Sequence, residues 1–312
     1  MFQRLTLKFV LAMSILAGLS LVLFANAALA QDFKIFNLKS NKKQLQVGEE
    51  WSRTTFDGKL TSTEALNSAI KATARVDLKN EQGSAFYLGK FNGVHLMLTN
   101  YHVLSEQEIC RTGKVYFANM QKSFSCGLII DKFRDLEATF FTIRVDKKDE
   151  YRFENIALKF DFVNEYKPGH KLVTAGYGIE RNSNGKLTYE NSQTCVVATT
   201  TYKTILLTVQ SDETSYNARS FVHACEISSG DSGSAVISES TGKVVGLNWA
   251  TSTSKPITLL NSLNVYEWIE KQSNLLWSYM SYAVPGGEIM NAIRVSKNVT
   301  LNEFVNSHFN SP

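Results

Sequence analysis

The sequence predicts an all-β protein built from barrels or a sandwich, and three observations carry that expectation. Short apolar runs recur along the chain, several with Gly at their edges. Polar or Gly-bearing turns separate them, as at Asn182–Gly185 and Glu239–Gly242. Helical signals cluster late, at 263–280 and 287–293.

The strands follow in order. Ala72–Leu78 reads as the first of them. Ser84–Gly89 and Gly93–Leu98 then read as the two arms of a hairpin. Val115–Phe117, Leu136–Val145, Lys171–Gly176, Cys195–Thr200, Thr204–Gln210, Ala235–Ser238 and Lys243–Trp249 continue the pattern. Residues 31–66 are polar and Lys-rich and read as an extension before the core, or as a propeptide.

The N-terminus has the layout of a secretory signal peptide. Arg4 and Lys8 form a positive head, Phe9–Phe24 is an apolar run, and Ala28-Leu29-Ala30 is a small-residue cleavage pattern. The run is short for a membrane span of roughly 20 residues. The expectation is cleavage after residue 30, export to the periplasm or medium, and no membrane anchor afterwards. Removal of Arg4 and Lys8 leaves 31 basic residues against 29 acidic ones. That near-balance argues against a general nucleic-acid binder, which needs a basic patch.

Four cysteines remain, at 110, 126, 195 and 225. An even count in an exported chain suggests two disulfides. Of the three possible pairings, Cys110–Cys126 and Cys195–Cys225 are favoured, because each flanks a separate part of the chain. No Cys-x-x-Cys pair is present, which argues against a zinc site; no metal or other cofactor is expected.

The chemistry gathers in Ser229-Gly230-Asp231-Ser232-Gly233-Ser234-Ala235-Val236. Glycines beside a serine let the backbone turn tightly, which presents the hydroxyl and aims nearby N–H groups at a developing oxyanion. An apolar strand, a turn and a second strand ending Gly246-Leu247-Asn248-Trp249-Ala250 follow. This arrangement resembles the trypsin-like, chymotrypsin-fold serine peptidases, and within them a bacterial branch that includes glutamyl endopeptidases.

The resemblance supplies the rest of the site. Met97-Leu98-Thr99-Asn100-Tyr101-His102-Val103-Leu104 is similar to the family's strand-then-histidine pattern, which marks His102. Arg134-Asp135-Leu136-Glu137-Ala138 is similar to its acid motif, which marks Asp135, with Asp131 as competitor. Glu137 departs from that motif, standing where the family often has an apolar residue. The order His, Asp, Ser differs from that of the α/β-hydrolases.

What the resemblance implies is a serine endopeptidase acting on proteins or peptides through His102, Asp135, Ser232 and an acyl-enzyme. Backbone N–H groups of Gly230 and Ser232 would form the oxyanion hole. Glu226, Ile227, Asn248, Trp249 and Ala250 would line the substrate pocket, unless Glu226 points to solvent. The glutamyl endopeptidases often place His where Asn248 stands. The implied fold is two packed six-stranded antiparallel β-barrels with a C-terminal helix. The peptidase domain would span 67–300, with barrel one at about 67–150, barrel two at about 155–285, an insertion at 255–277 and a tail at 301–312. The family often pairs cysteines placed like Cys195 and Cys225. The competing class is an inactive binding protein on the same fold. Asp231 poses a further question, because the chain has no Ile-Val-Gly-Gly start to furnish a freed amine. Its partner is then an amine from a cut within 31–75, an internal Lys or Arg, or backbone N–H groups.

Overall fold

The computed structural model describes residues 53–79, 81–161, 166–178, 186–190, 195–198, 203–208, 215–251 and 281–309. The signal sequence, the first part of the extension, the turn at 182–185 and the segments 255–277 and 263–280 discussed above lie outside the described residues.

The first barrel is closed, in the order β2-β3-β4-β7-β6-β5. Its strands are β2 (Thr73–Asp77), β3 (Gln82–Phe91), β4 (Val94–Thr99), β5 (Lys114–Phe117), β6 (Lys122–Phe133) and β7 (Ala138–Arg144). Every neighbouring pair is antiparallel. Closure needs curvature, and bulges supply it in β3 beside Gly89 and twice in β6. Phe117, Phe124 and Phe153 stack edge-on inside, with ring centroids 5.0–5.9 Å apart. Such contacts add to the burial of large apolar surface.

The second unit is an eight-stranded sheet in the order β1-β9-β8-β12-β13-β14-β11-β10. Its strands are β1 (Thr54–Thr55), β8 (Leu172–Gly176), β9 (Thr188–Glu190), β10 (Lys203–Thr208), β11 (Ser215–His223), β12 (Ala235–Ser238), β13 (Val244–Thr251) and β14 (Ser281–Pro285). Segment 195–198 bridges Lys171 on one side and His223 on the other, so the sheet curls shut. With β8, β12, β13, β14 and β11, that segment completes a second ring. Both expected disulfides are present: Cys110–Cys126 and Cys195–Cys225.

The described part of the N-terminal extension packs on this framework. β1 pairs with β9, and Phe56 N–H donates to the Leu187 carbonyl at 2.9 Å. Helix α1 (Glu64–Ala72) buries Ala65, Leu66, Ala69 and Ile70 along one face, with Glu64 and Lys71 complementing its dipole. Helix α2 (Gln107–Thr112) carries Cys110.

Helix α3 (Gly286–Ile293) follows the last strand, as expected. The expected tail is corrected: residues 299–309 form a further helix, α4. The reason is its spacing, since Leu301, Phe304 and Val305 fall on one face and are buried. Phe304 meets the ring of Phe91 in barrel one at 5.2 Å. Among the described residues no helix is long and apolar enough to cross a membrane.

Candidate active site

The two barrels meet through side chains that cross between them. Tyr177, just after β8, places its hydroxyl 3.3 Å from the Tyr116 carbonyl and 3.2 Å from the Ala118 N–H of barrel one. Ser84 of β3 reaches the other way. Its N–H donates to the Ser232 carbonyl at 2.8 Å, its Oγ donates to the Gly230 carbonyl at 2.8 Å, and that Oγ accepts from Tyr177 N–H at 3.0 Å. Thr99, at the end of β4, donates to the Ser84 carbonyl at 2.7 Å. The end of the strand leading to His102 is thus tied through Ser84 to the serine loop. Gly83 confirms how close the two come: a Cβ there would lie 2.7 Å from the Val103 side chain and 3.3 Å from the Ser232 carbonyl.

The loop itself is a pair of tight turns. Asp231 N–H donates to the Ser228 carbonyl at 3.0 Å, and Ser234 N–H to the Asp231 carbonyl at 2.9 Å. Both need glycine, with Gly230 at φ 97° and Gly233 at φ 90°. Gly233 also has backbone against it, since a Cβ there would stand 2.0 Å from the Ser84 carbonyl. The loop is stitched to β13 by Gly233 N–H to Asn248 carbonyl at 2.8 Å and Asn248 N–H to Ser234 carbonyl at 2.9 Å. Among the described residues, the backbone N–H groups of Gly230 and Ser232 enter no hydrogen bond. Ser232 is partly exposed, and its hydroxyl donates to the Trp249 carbonyl at 3.4 Å.

The acid beside His102 is where the structure departs from the sequence expectation. Asp135 lies exposed in a 3-10 turn at Arg134–Leu136. The carboxylate facing the imidazole belongs to Glu137, whose Oε2 is 2.8 Å from His102 Nδ1. The same oxygen accepts the His102 backbone N–H at 3.2 Å. Asp131, the other candidate, instead accepts from Ser296 at 2.8 Å. The physical reason lies in the backbone. Glu137 is left-handed, at φ 47°, which turns the chain between the 3-10 turn and β7 and sends the longer side chain inward. Its carbonyl is held by Tyr101 N–H at 3.0 Å and Asn100 Nδ2 at 2.9 Å. Glu137 is fully buried, and a buried carboxylate is costly unless paired. A carboxylate facing Nδ1 favours the imidazole tautomer that carries its proton there.

The expected pocket residues are mostly packed into the second barrel. Asn248 is buried, with Nδ2 3.1 Å from Thr174 Oγ1 and 3.0 Å from Ser234 Oγ. Trp249 Nε1 donates to Ser220 Oγ at 2.8 Å. Ile227 and Ala250 are buried. Glu226 is buried as well, so it does not point to solvent. Its N–H donates to Glu190 Oε2 at 2.5 Å. His223 lies fully buried on β11, and desolvation pushes its pKa down to about 3.

Two residues bound to the serine loop carry no mark in the sequence. Ser84 is one, in an ordinary strand with no motif around it. Arg53 is the other. It answers the question of Asp231's partner: Nη1 and Nη2 grip Oδ2 and Oδ1 at 2.5 and 2.6 Å. Among the described residues no cluster of His, Cys, Asp and Glu is arranged to hold a metal ion.

Comparison with known proteins bears on the fold and the family. The chain is similar in fold to the Rv3671c protease from M. tuberculosis in its active form, with a TM-score of 0.51 and 14% identity over 83% of this chain and 94% of that one. Deg5 gives a TM-score of 0.48 at 14% identity, covering 75% of this chain and 93% of Deg5. The serine endoprotease from Yersinia pestis gives 0.45 at 13% identity, covering 80% and 68%. No curated protein matches. The family model of the trypsin-like peptidase domain matches residues 83–247, more than half of the chain, and the chain belongs to that family.

Proposed function

We propose that this chain is an exported serine endopeptidase whose triad is His102, Glu137 and Ser232. One observation carries the reading: a buried carboxylate holds Nδ1 of His102 at 2.8 Å, on a segment tied through Ser84 to the Ser232 turn. Ser232 Oγ attacks the scissile carbonyl. His102 Nε2 takes the hydroxyl proton and later gives it to the leaving amine. Glu137 orients the imidazole and stabilises its charged form. The N–H groups of Gly230 and Ser232 face the developing oxyanion, a term that is typically among the largest in such reactions. Two disulfides and the apolar N-terminal sequence support export.

The test is reaction of the purified protein with a fluorophosphonate, followed by peptide mapping. The expected result is one adduct on Ser232, lost in His102→Ala. A folded wild-type protein that stays unmodified would sink the reading.

A further inference from the structure

We propose that Arg53 is a positioning residue for the oxyanion hole, acting through Asp231, and that the uncut N-terminal arm thereby assembles the hole. This rests on the peptidase reading above.

Asp231 lies between Gly230 and Ser232, the two residues whose N–H groups would bind the oxyanion. Its side chain is fully buried, and that of Arg53 is 10% exposed. The guanidinium grips both carboxylate oxygens, at 2.5 and 2.6 Å, in the forked geometry that makes Arg–carboxylate pairs specific. Arg53 Nη1 also donates to the Glu226 carbonyl at 2.6 Å, and Nη2 to the Thr188 carbonyl at 3.4 Å. The carboxylate accepts further from Gly178 N–H at 3.0 Å, Ser228 N–H at 2.8 Å and Ser228 Oγ at 3.3 Å.

The surroundings are shaped to hold this pair. A Cβ at Gly176 would stand 2.2 Å from Asp231 Oδ1 and 3.3 Å from Arg53 Nη2, and one at Gly178 would stand 2.4 Å from Asp231 Oδ2. Arg53 is delivered by β1, the two-residue strand that pairs with β9 at Thr54–Tyr189 and Thr55–Thr188. A buried carboxylate stripped of its cation either takes up a proton or turns toward water. Turning Asp231 rotates the Asp231–Ser232 peptide, which carries the Ser232 N–H, and shifts the Gly230 backbone before it, so the two N–H groups lose their common aim. The cation is internal to the chain, so no freed amine is needed. The arm around Arg53 then belongs to the working enzyme and is no dispensable propeptide.

The test uses the full chain carrying Arg53→Gln, which removes the charge, and Arg53→Lys, which keeps it without the fork. Steady-state kinetics on a peptide substrate are corrected for folded protein by near-UV circular dichroism. The Gly230 amide is followed by NMR on protein carrying labelled glycine. Arg53→Gln is expected to lower kcat by about 10²-fold or more, the scale of losing an oxyanion donor, with KM changed by no more than about threefold. Arg53→Lys is expected to fall between it and wild type. The Gly230 amide resonance is expected to move in Arg53→Gln. Wild-type kcat per folded molecule together with an unmoved Gly230 amide in Arg53→Gln would overturn the proposal. If the wild type is inert to the fluorophosphonate, the peptidase reading falls, and the Gly230 amide alone decides whether Arg53 sets the loop. Should Arg53→Gln not fold, the Lys variant decides by the same two readouts.

Discussion

A single oxygen of Glu137 engages His102 twice, accepting from Nδ1 at 2.8 Å and from the backbone N–H at 3.2 Å. The first contact sets the tautomer and the second fixes the distance between the two residues. Glu137→Gln should therefore keep the shape and lose the charge. We expect kcat to drop on the order of 10³- to 10⁴-fold, as for loss of the corresponding carboxylate in the Ser-His-Asp template. Asp135→Asn, on the exposed turn, should leave kcat within about twofold, as substitutions away from such contacts generally do. Peptide hydrolysis by the two variants separates them. The reverse ranking would return the acid's role to Asp135.

Ser84 predicts a joint effect on folding and chemistry. Ser84→Ala leaves the Gly230 carbonyl and the Tyr177 N–H without their partner inside a buried seam. The expected cost is about 1–3 kcal/mol of stability. Because the same hydroxyl holds Gly230, in the loop proposed to form the oxyanion hole, kcat should fall about tenfold or more in the protein that remains folded. Urea unfolding and active-site titration measure the two parts. Unchanged kcat per folded molecule would show that Ser84 only braces the barrels.

The acid side of the stability profile should carry the mark of His223. Burial lowers its pKa from 6.5 to about 3 in the folded chain. Above about pH 6.5 it is neutral folded and unfolded and adds no pH dependence. As pH falls from there toward 3, the unfolded chain takes up a proton that the folded chain refuses, and stability declines. One such group gives a slope approaching about 1.4 kcal/mol per pH unit. Burial also lowers His95, His170 and His308, and the lysines beside Asp149 and Glu150 hold those carboxyls low, so all of these groups add to the wild-type slope. His223→Leu should flatten the slope between pH 6 and 4 by about one proton's worth, read from urea unfolding at several pH values. An identical slope in the variant would mean that His223 protonates without unfolding.

Much of this was legible in the sequence, for reasons that differ by residue. β3, β4, β5, β8, β12 and β13 show as apolar runs bounded by Gly or polar turns. His102 and Ser232 stand in local strings whose spacing is itself the signal. β6 does not read as a strand because its two bulges break the alternation of faces. Asp135 was the natural choice because it begins the familiar acid motif. The preference for Glu137 arises from a left-handed backbone at 137, which a linear pattern does not reveal. Arg53 lies 178 residues from Asp231 in sequence, and no local pattern links an arginine in a polar extension to a loop so distant.

The proposed chemistry stands or falls on Ser232 and His102 acting as one unit on a peptide bond. The most direct measurement is hydrolysis of a quenched peptide library by wild type, Ser232→Ala and His102→Ala, purified identically. Turnover by wild type is expected, with a loss on the order of 10⁴- to 10⁶-fold in each variant and the double variant no worse than either. Full turnover by Ser232→Ala, or none by a folded wild type across the library, would contradict it.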